Sequence, residues 1–202
     1  MKIIFDLDGT LICAKKRLHE LFLYLLKDKY IDYDSYWNLK LSGNNNTDIL
    51  RNHFDYSEAK IDMFLISWMN KIESDYYLDM DVIIAGAKNI LEKYREDNEL
   101  YICTARQSVS QANKQLRNLG LFDFFKEVFV TEHKVNKEEI IKRSGIVLSK
   151  DDWIVGDTGH DIITGKKIGV NTCAVLSGFM SEQSLGNYSP DLIIENVSCL
   201  DI

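Results

Sequence analysis

Two carboxylates separated by a single residue follow a short apolar run at the start of the chain. The run at residues 3–5 is typical of a buried strand, Asp6 and Asp8 come directly after it, and Gly9 follows the second acid. Ligands of open parallel sheets bind at the carboxyl ends of the strands. Two acids held there repel each other and lose hydration, so they need a stabilising partner, most simply a divalent cation. Taken alone, the fragment also fits a strand that ends in an Asp-Gly turn.

Three later apolar runs also end in residues that could act on a phosphate or a metal. They are followed, in chain order, by Thr104-Ala105-Arg106, by Thr131-Glu132-His133-Lys134, and by a glycine-rich segment that contains Asp157 and Asp161. If these runs are strands of one parallel sheet, their carboxyl ends meet at one edge. A hydroxyl, a lysine and a second acidic pair would then lie beside the first pair of acids.

The spacing of apolar residues predicts the elements that position these side chains. Short runs rich in β-branched and aromatic residues, at 3–5, 100–103, 128–130, 153–155, 173–176 and 192–194, predict strands. Segments of helical periodicity lie between the later runs, at 87–97, 109–119, 137–144 and 161–168. Strands that alternate with helices predict βαβ units and an α/β fold with a parallel sheet.

A long segment without a convincing strand interrupts this alternation after the first run. Apolar stripes at helical spacing occur around Leu21 and Phe64, and a polar loop at 41–48 separates them. We therefore predict a helical insertion at residues 13–81, and an α/β core formed by residues 1–12 and 82–202.

The order of the polar residues resembles the four motifs of the haloacid dehalogenase superfamily. The matching positions are Asp6-x-Asp8-Gly9-Thr10, Thr104, Lys134 and Gly156-Asp157-x-x-x-Asp161. The resemblance covers nearly the whole chain and includes the helical insertion. It implies a Rossmann-like core with a helical cap inserted after the first strand, as in the group of phosphoglycolate phosphatase and β-phosphoglucomutase.

At matching positions the resemblance implies roles in phosphoryl transfer. Asp6 would be the nucleophile that forms an aspartyl phosphate, and Asp8 would protonate the leaving oxygen and later deprotonate water. Thr104, the backbone amide beside it at Ala105, and Lys134 would bind the phosphoryl group. The expected substrate is a small phosphorylated metabolite.

The resemblance also implies a magnesium site. Asp6, Asp157 and the backbone carbonyl of Asp8 would hold Mg²⁺, and Asp161 would bind it directly or through a water. Mg²⁺ prefers oxygen ligands and keeps several waters, which suits a site with few carboxylates. Asp157 and Asp161 could alternatively be acids that complement the dipole of a helix N-terminus.

Two basic positions leave alternatives open. Lys137 lies only three residues after Lys134, and either lysine could face the site; we favour Lys134, because residues 137–141 are typical of the first turn of a helix. Arg106 could reach an anionic substrate or lie on the surface in solvent.

Other functions compatible with these motifs are a phosphomutase of the same capped type and a binding protein without activity. A mutase would need a bisphosphate activator, and a binding protein would be expected to have lost Asp6, Asp8 or Asp157, all of which are present. A dehalogenase is disfavoured because its chemistry does not need the second acid, Asp8.

The composition limits the kinds of binding partner and the cellular compartment that we expect. The formal net charge of −7 argues against a nucleic-acid-binding surface. The four cysteines lack metal-binding spacing, which predicts reduced thiols, and no apolar stretch approaches the length of a membrane helix. We expect a cytoplasmic protein that does not bind membranes, as a monomer or a dimer.

Overall fold

A six-stranded parallel sheet forms the centre of the computed structural model, which describes all 202 residues. Its strands are β1 (Lys2–Phe5), β4 (Glu99–Thr104), β5 (Glu127–Val130), β6 (Trp153–Gly156), β7 (Asn171–Val175) and β8 (Leu192–Ile194). They lie in the order β5-β4-β1-β6-β7-β8, and every pairing is parallel. The prediction of an α/β fold with a parallel sheet is confirmed, and each predicted strand is present to within about two residues.

The first strand lies in the middle of the sheet because it is apolar on both faces. Ile3, Ile4 and Phe5 are completely buried. Ile3 and Phe5 belong to the largest apolar cluster, and Ile4 belongs to a second cluster that includes Tyr101. A strand that is buried on both faces has a continuous apolar sequence. This pattern is the reason that β1 could be predicted from the sequence.

Helices cover both faces of the sheet. Those that follow the strands are α6 (Ala87–Arg95), α7 (Val109–Asn118), α8 (Lys137–Arg143), α9 (Gly159–Ile168) and α10 (Glu182–Gly186). Asn136 caps the start of α8 by accepting a hydrogen bond from the backbone N–H of Glu139, and Ser108 caps α7 in the same way through Gln111.

Five further helices lie between β1 and β4 in the chain. They are α1 (Lys15–Leu26), α2 (Tyr33–Leu41), α3 (Asn46–Asn52), α4 (Glu58–Lys71) and α5 (Asp75–Leu78). The chain enters and leaves this segment through the short antiparallel strands β2 (Ile12–Cys13) and β3 (Val82–Ile83). We call the segment the cap; its limits of 13–81 stay a prediction.

The cap has an apolar core of its own. Phe22, Tyr36, Ile49, Leu50 and Phe64 belong to one buried cluster inside it. The predicted polar loop is shorter than expected, because Asn45 and Asp48 form a capping box and α3 begins within the loop. None of the helices in the protein combines the length and the apolar content needed to cross a lipid bilayer.

Candidate active site

A cavity of about 580 Å³ lies between the cap and the carboxyl ends of the core strands. The parallel register aligns Phe5 with Ile102 and Val155, so β1, β4 and β6 end within two residues of the same level. Residues at or just after these ends line the cavity together with Asp161 from the first turn of α9 and Lys137 from α8: Asp6, Asp8, Thr104, Ala105 and Asp157. The structure thus brings together every predicted site residue except Lys134.

Three buried carboxylates and one lysine form the floor of the cavity. Ligand oxygens of Asp6, Asp157 and Asp161 all lie within 4.8 Å of one another. The Nζ atom of Lys137 is 2.5 Å from Oδ1 of Asp6 and 2.6 Å from Oδ1 of Asp161. Because one cation faces three acids, the group has a deficit of positive charge.

The pKa values at the site reflect this deficit. Burial, only partly opposed by Lys137, raises the pKa of Asp6 to about 7. Burial and the neighbouring carboxylates of Asp6 and Asp161 also raise the pKa of Asp157 well above its usual value. Burial alone would lower the pKa of Lys137, but Asp161 and Asp6 outweigh it and raise that pKa.

The prediction that Lys134 faces the site is wrong, and Lys137 occupies that place. The side chain of Lys134 is 73% exposed and pairs with Glu132 on the surface, whereas that of Lys137 is 9% exposed. Glu132 and His133 adopt left-handed backbone conformations, with φ of 52° and 54°, in the turn that precedes Lys134. Lys137 is the first residue of α8, and helical side chains lean towards the helix N-terminus, which here faces the strand ends.

The oxygens of Asp157 suit a metal ion. Its Oδ2 atom accepts a hydrogen bond of 2.9 Å from the backbone N–H of Phe179. Its Oδ1 atom is buried and has no hydrogen-bond partner in the protein. A buried carboxylate oxygen without a donor is costly, and a cation shared with Asp6 and Asp161 would satisfy it. The donor set therefore fits an oxygen-liganded divalent cation.

Asp161 contributes to the site and to its helix at the same time. Its Oδ2 atom accepts hydrogen bonds from the hydroxyl and the backbone N–H of Thr158, at 2.7 and 3.1 Å, at the start of α9. Its Oδ1 atom accepts the hydrogen bond from Lys137. Both interpretations offered by the sequence, a helix-terminal acid and a site residue, therefore apply to Asp161.

Two arginines hold the carboxylate of Asp8. Arg106 donates from Nε to Oδ2 and from Nη2 to Oδ1, both at 2.7 Å, and Arg17 donates from Nη2 to Oδ1. Burial would raise the pKa of Asp8, but Arg106 and Arg17 outweigh it and hold the pKa well below its usual range. Arg106 is 3% exposed, so the interpretation of a solvated surface arginine is wrong.

Asp81 forms hydrogen bonds with both arginines. Its Oδ1 atom accepts from Nε of Arg17 at 3.0 Å, and its Oδ2 atom accepts from Nη2 of Arg106 at 3.4 Å and from the amide of Gln115 at 2.8 Å. Sequence reasoning missed Arg17 and Asp81. The one available signal was a charge on an apolar helix face, because Arg17 lies four residues before the buried Leu21.

Comparison with known proteins identifies the family. The model of haloacid dehalogenase-like hydrolases matches residues 3–175, which include all the residues of the site described above except Phe179. The chain belongs to the haloacid dehalogenase-like hydrolase family. The resemblance predicted from the sequence is thereby confirmed, and so is its classification as a hydrolase. Members of this family generally use a divalent metal.

Relatives match the chain over almost their whole length. It is 26% identical to a pyrophosphatase PpaX from Bacillus cereus, with 98% of this chain and 93% of that protein covered. It is also 26% identical to a pyrophosphatase PpaX from Oceanobacillus iheyensis, with 96% and 92% covered. The crystal structure of a provisionally named phosphatase from Clostridium difficile superposes with a TM-score of 0.81 at 28% identity, covering 96% of this chain and 94% of that one.

Proposed function

We propose that this protein is a Mg²⁺-dependent phosphatase that hydrolyses a small phosphorylated metabolite through an aspartyl phosphate on Asp6. The observation that carries the proposal is the buried group of three carboxylates with a single lysine at the floor of a cavity. The relatives named as pyrophosphatases and the similar structure named as a phosphatase support phosphoryl transfer to water. They make inorganic pyrophosphate one candidate substrate.

Asp6, Asp157, Asp161 and the backbone carbonyl of Asp8 would hold the Mg²⁺ ion. When bound, the ion neutralises part of the charge on these carboxylates and on the phosphoryl oxygens of the substrate. Lys137 supplies a fixed positive charge beside Oδ1 of Asp6. Because Lys137 is buried against two carboxylates, its pKa is raised and its protonated form is favoured before the reaction begins.

In the first step, an oxygen of Asp6 attacks phosphorus and the bond between phosphorus and the leaving oxygen breaks. Asp8 transfers a proton to that oxygen. In the second step, water attacks the phosphorus of the aspartyl phosphate, Asp8 takes a proton from the water, and Asp6 is regenerated with release of phosphate. Since Arg17 and Arg106 favour the ionised form of Asp8, at least one of these contacts must loosen before Asp8 can carry its proton.

Thr104 and the backbone around Ala105 would bind the transferred phosphoryl group. Thr104 is 1% exposed at the end of β4 and lines the cavity, so its hydroxyl is held by the sheet. A substrate enclosed between the cap and these strand ends would be shielded from bulk water. As partners we propose small anionic metabolites, and no nucleic acid or membrane.

The test is phosphate release from a panel of phosphorylated metabolites with and without Mg²⁺, for the wild type and for Asp6→Asn. We expect turnover of at least one substrate, loss of that turnover in EDTA, and a loss of at least about 10³-fold in Asp6→Asn. An Asp6→Asn protein that retains activity would refute the mechanism.

A further inference from the structure

The cap contributes a wall to the cavity that differs in character from the strand ends of the core. This wall, which we call the cap wall, comes from α1, from the last turn of α4 and from the two residues after α4. Its six members are Arg17, Leu18, Trp68, Met69, Ile72 and Glu73. Four of the six are apolar, so the chemistry of the cap wall depends on whether its two charged members are free to bind a ligand.

Both charged residues of the cap wall are engaged by the protein itself. Arg17 forms ion pairs with Asp8 and Asp81. The two carboxylate oxygens of Glu73 accept hydrogen bonds from two backbone N–H groups at the start of α7, at 2.7 and 3.0 Å. These contacts tie the cap to the core. The part of the cap wall that remains for a ligand is therefore its apolar part.

Apolar side chains of the cap wall are left partly uncovered. Met69 is 37% exposed, and Leu18 and Trp68 are half-buried. The ring of Trp68 stacks on that of Phe64, with centroids 6.0 Å apart and planes at 20°, so the cap core holds it in place from one side. Phe179, also half-buried, adds a second aromatic ring to the lining of the cavity. Uncovered apolar surface inside a substrate cavity indicates apolar ligand atoms.

The cavity is also large enough to hold more than a phosphoryl group. Its volume of about 580 Å³ lies within the range of about 300–1,000 Å³ that is typical of pockets for drug-sized ligands. The charged groups that suit a phosphoryl group, Asp6, Asp157 and Lys137, lie on the core side. A substrate made only of phosphate groups would leave the apolar side chains of the cap wall in contact with water.

We propose that the leaving group of the substrate carries an aromatic or aliphatic body, which Leu18, Trp68 and Met69 of the cap wall bind. This inference rests on the proposed function, because it places the transferred phosphoryl group at Asp6. Among phosphorylated metabolites it selects monoesters of apolar alcohols over inorganic pyrophosphate. The gain in affinity comes from removing apolar surface of both the ligand and the cap wall from water.

Binding of two phosphonates that cannot be hydrolysed tests the cap wall without turnover. 2-Phenylethylphosphonate corresponds to benzyl phosphate, and ethylphosphonate corresponds to methyl phosphate, with a methylene group in place of the bridging oxygen. The two ligands share the phosphonate group and differ only in the apolar body. By calorimetry in Mg²⁺, we expect the wild type to bind 2-phenylethylphosphonate roughly 10- to 100-fold more tightly. Trp68→Gln and Met69→Ser should each reduce this ratio by about threefold or more.

Two further variants control the comparison. Met63→Ser removes a methionine of the same helix that is 70% exposed and does not line the cavity, so the wild-type ratio should persist. Trp68→Phe keeps an aromatic ring in the cap wall and should retain most of the ratio. Because each ratio compares two ligands of one protein, a partial loss of folded protein does not alter it.

Phosphate release from benzyl phosphate and methyl phosphate separates this inference from the proposed function. Both esters release a primary alcohol, so a higher kcat/KM for benzyl phosphate reports contacts of the ring. If the phosphonate ratio is near one in the wild type, or if both esters are hydrolysed at equal kcat/KM, the inference is refuted and the phosphatase stands. If the ratio is large but the same in Trp68→Gln, Met69→Ser and Met63→Ser, the assignment to the cap wall is wrong. If the ratio follows the cap wall and neither ester is hydrolysed, the apolar site stands and the phosphatase proposal fails.

Discussion

Lys137 is the residue whose contacts link Asp6 to the rest of the site. Its ammonium group is within hydrogen-bond distance of both Asp6 and Asp161, and the residue as a whole is 8% exposed. A buried charge is tolerated only when it is paired, so this lysine and these acids stabilise one another. The same ammonium is held where a phosphoryl oxygen bound near Asp6 would meet it.

Replacement of Lys137 by Met should therefore affect activity and stability together. We expect kcat/KM to fall by about 10²- to 10³-fold, which is typical of losing one preorganised electrostatic group. We also expect the metal-free protein to unfold more easily, by about 3 kcal/mol, because two buried carboxylates lose their counter-ion. Phosphate release and urea denaturation measure the two effects.

Lys134→Met is the matched control. Its side chain is 73% exposed and pairs only with Glu132, at 3.3 Å, so the free energy of unfolding should change by less than about 0.5 kcal/mol. If Lys134→Met abolished activity and Lys137→Met did not, the assignment of the lysine made from this structure would be wrong.

Because Gly178 has no side chain, Asp157 can occupy the space beside it. A Cβ atom at Gly178 would lie 1.9 Å from Oδ2 and 2.2 Å from Cβ of Asp157. We expect Gly178→Ala to displace this carboxylate and to weaken Mg²⁺ binding by about tenfold or more, with a cost in folding of about 1–3 kcal/mol from overpacking. Calorimetric titration with Mg²⁺ measures the first effect and thermal unfolding the second.

Gly186 offers the corresponding control on the next helix. A Cβ atom there would meet nothing within 4 Å, so Gly186→Ala should leave Mg²⁺ affinity unchanged. Equal affinities of Gly178→Ala and Gly186→Ala for Mg²⁺ would mean that Asp157 is not a ligand or that the loop adapts without moving it.

At the level of elements, a single aromatic contact joins the cap to the loop that holds Asp157. Trp37 of α2 stacks on Phe179, with ring centroids 5.7 Å apart and planes at 18°. The backbone N–H of Phe179 donates to Asp157, and Ser177 in the same loop donates to the carbonyl of Gly9. The position of the cap is thus coupled to a proposed metal ligand through a loop of three residues.

Phe179→Ala should loosen this coupling without unfolding the cap, because the cap has its own apolar cluster. We expect faster amide hydrogen exchange in residues 177–180 and in α2, and a red shift of tryptophan emission as Trp37 becomes more exposed. Phe124→Ala, which removes a half-buried aromatic residue packed on the main core and absent from the cavity wall, is the control. Unchanged exchange in α2 after Phe179→Ala would show that the stack does not hold the cap.

The elements of the core could be predicted because their sequence patterns arise from local burial. Parallel strands buried on both faces are continuous apolar runs, and the crossover helices that join them show helical periodicity. The acids and Thr104 could be placed for the same reason, since each lies within six residues of the end of such a run. Their meeting point then follows from the geometry of parallel sheets.

The remaining site contacts could not be predicted, because they depend on how distant elements dock. Arg17 reaches Asp8 only through the orientation of the cap on the core, which no local pattern encodes. The choice of Lys137 over Lys134 depends on a turn in which Glu132 and His133 take left-handed conformations, although neither is glycine. Phe179 acts through its backbone N–H, which leaves no signature in the sequence.

For the whole molecule, we expect the excess of negative charge at the site to make stability depend on pH and on a bound metal. The folded protein raises the pKa of Asp6 to about 7 and that of Asp157 well above its usual value, whereas both groups in the unfolded chain titrate near 3.8. Between these pH values the folded state holds protons that the unfolded state has lost. The free energy of unfolding of the metal-free protein therefore falls as pH rises from about 4 to 7.

Mg²⁺ should reverse this loss, since it replaces the protons as the counter-charge. At 100 times its dissociation constant, a ligand of the folded state adds about 2.7 kcal/mol, which raises Tm by roughly 5–10 °C for a chain of this size. We expect the difference in Tm between Mg²⁺ and EDTA to be small at pH 5 and to reach this range at pH 8. Differential scanning calorimetry across that interval measures it.

Asp157→Asn removes the negative charge of this side chain and keeps its shape. The amide oxygen of asparagine can still accept the hydrogen bond from Phe179, but the buried negative charge is gone. In EDTA at pH 8 this variant should therefore be more stable than the wild type, and its Tm should respond little to Mg²⁺. A variant less stable than the wild type in EDTA, with an undiminished response to Mg²⁺, would show that Asp157 carries no unbalanced charge and binds no metal. Any cation in this protein would then have to be held by Asp6 and Asp161 without Asp157.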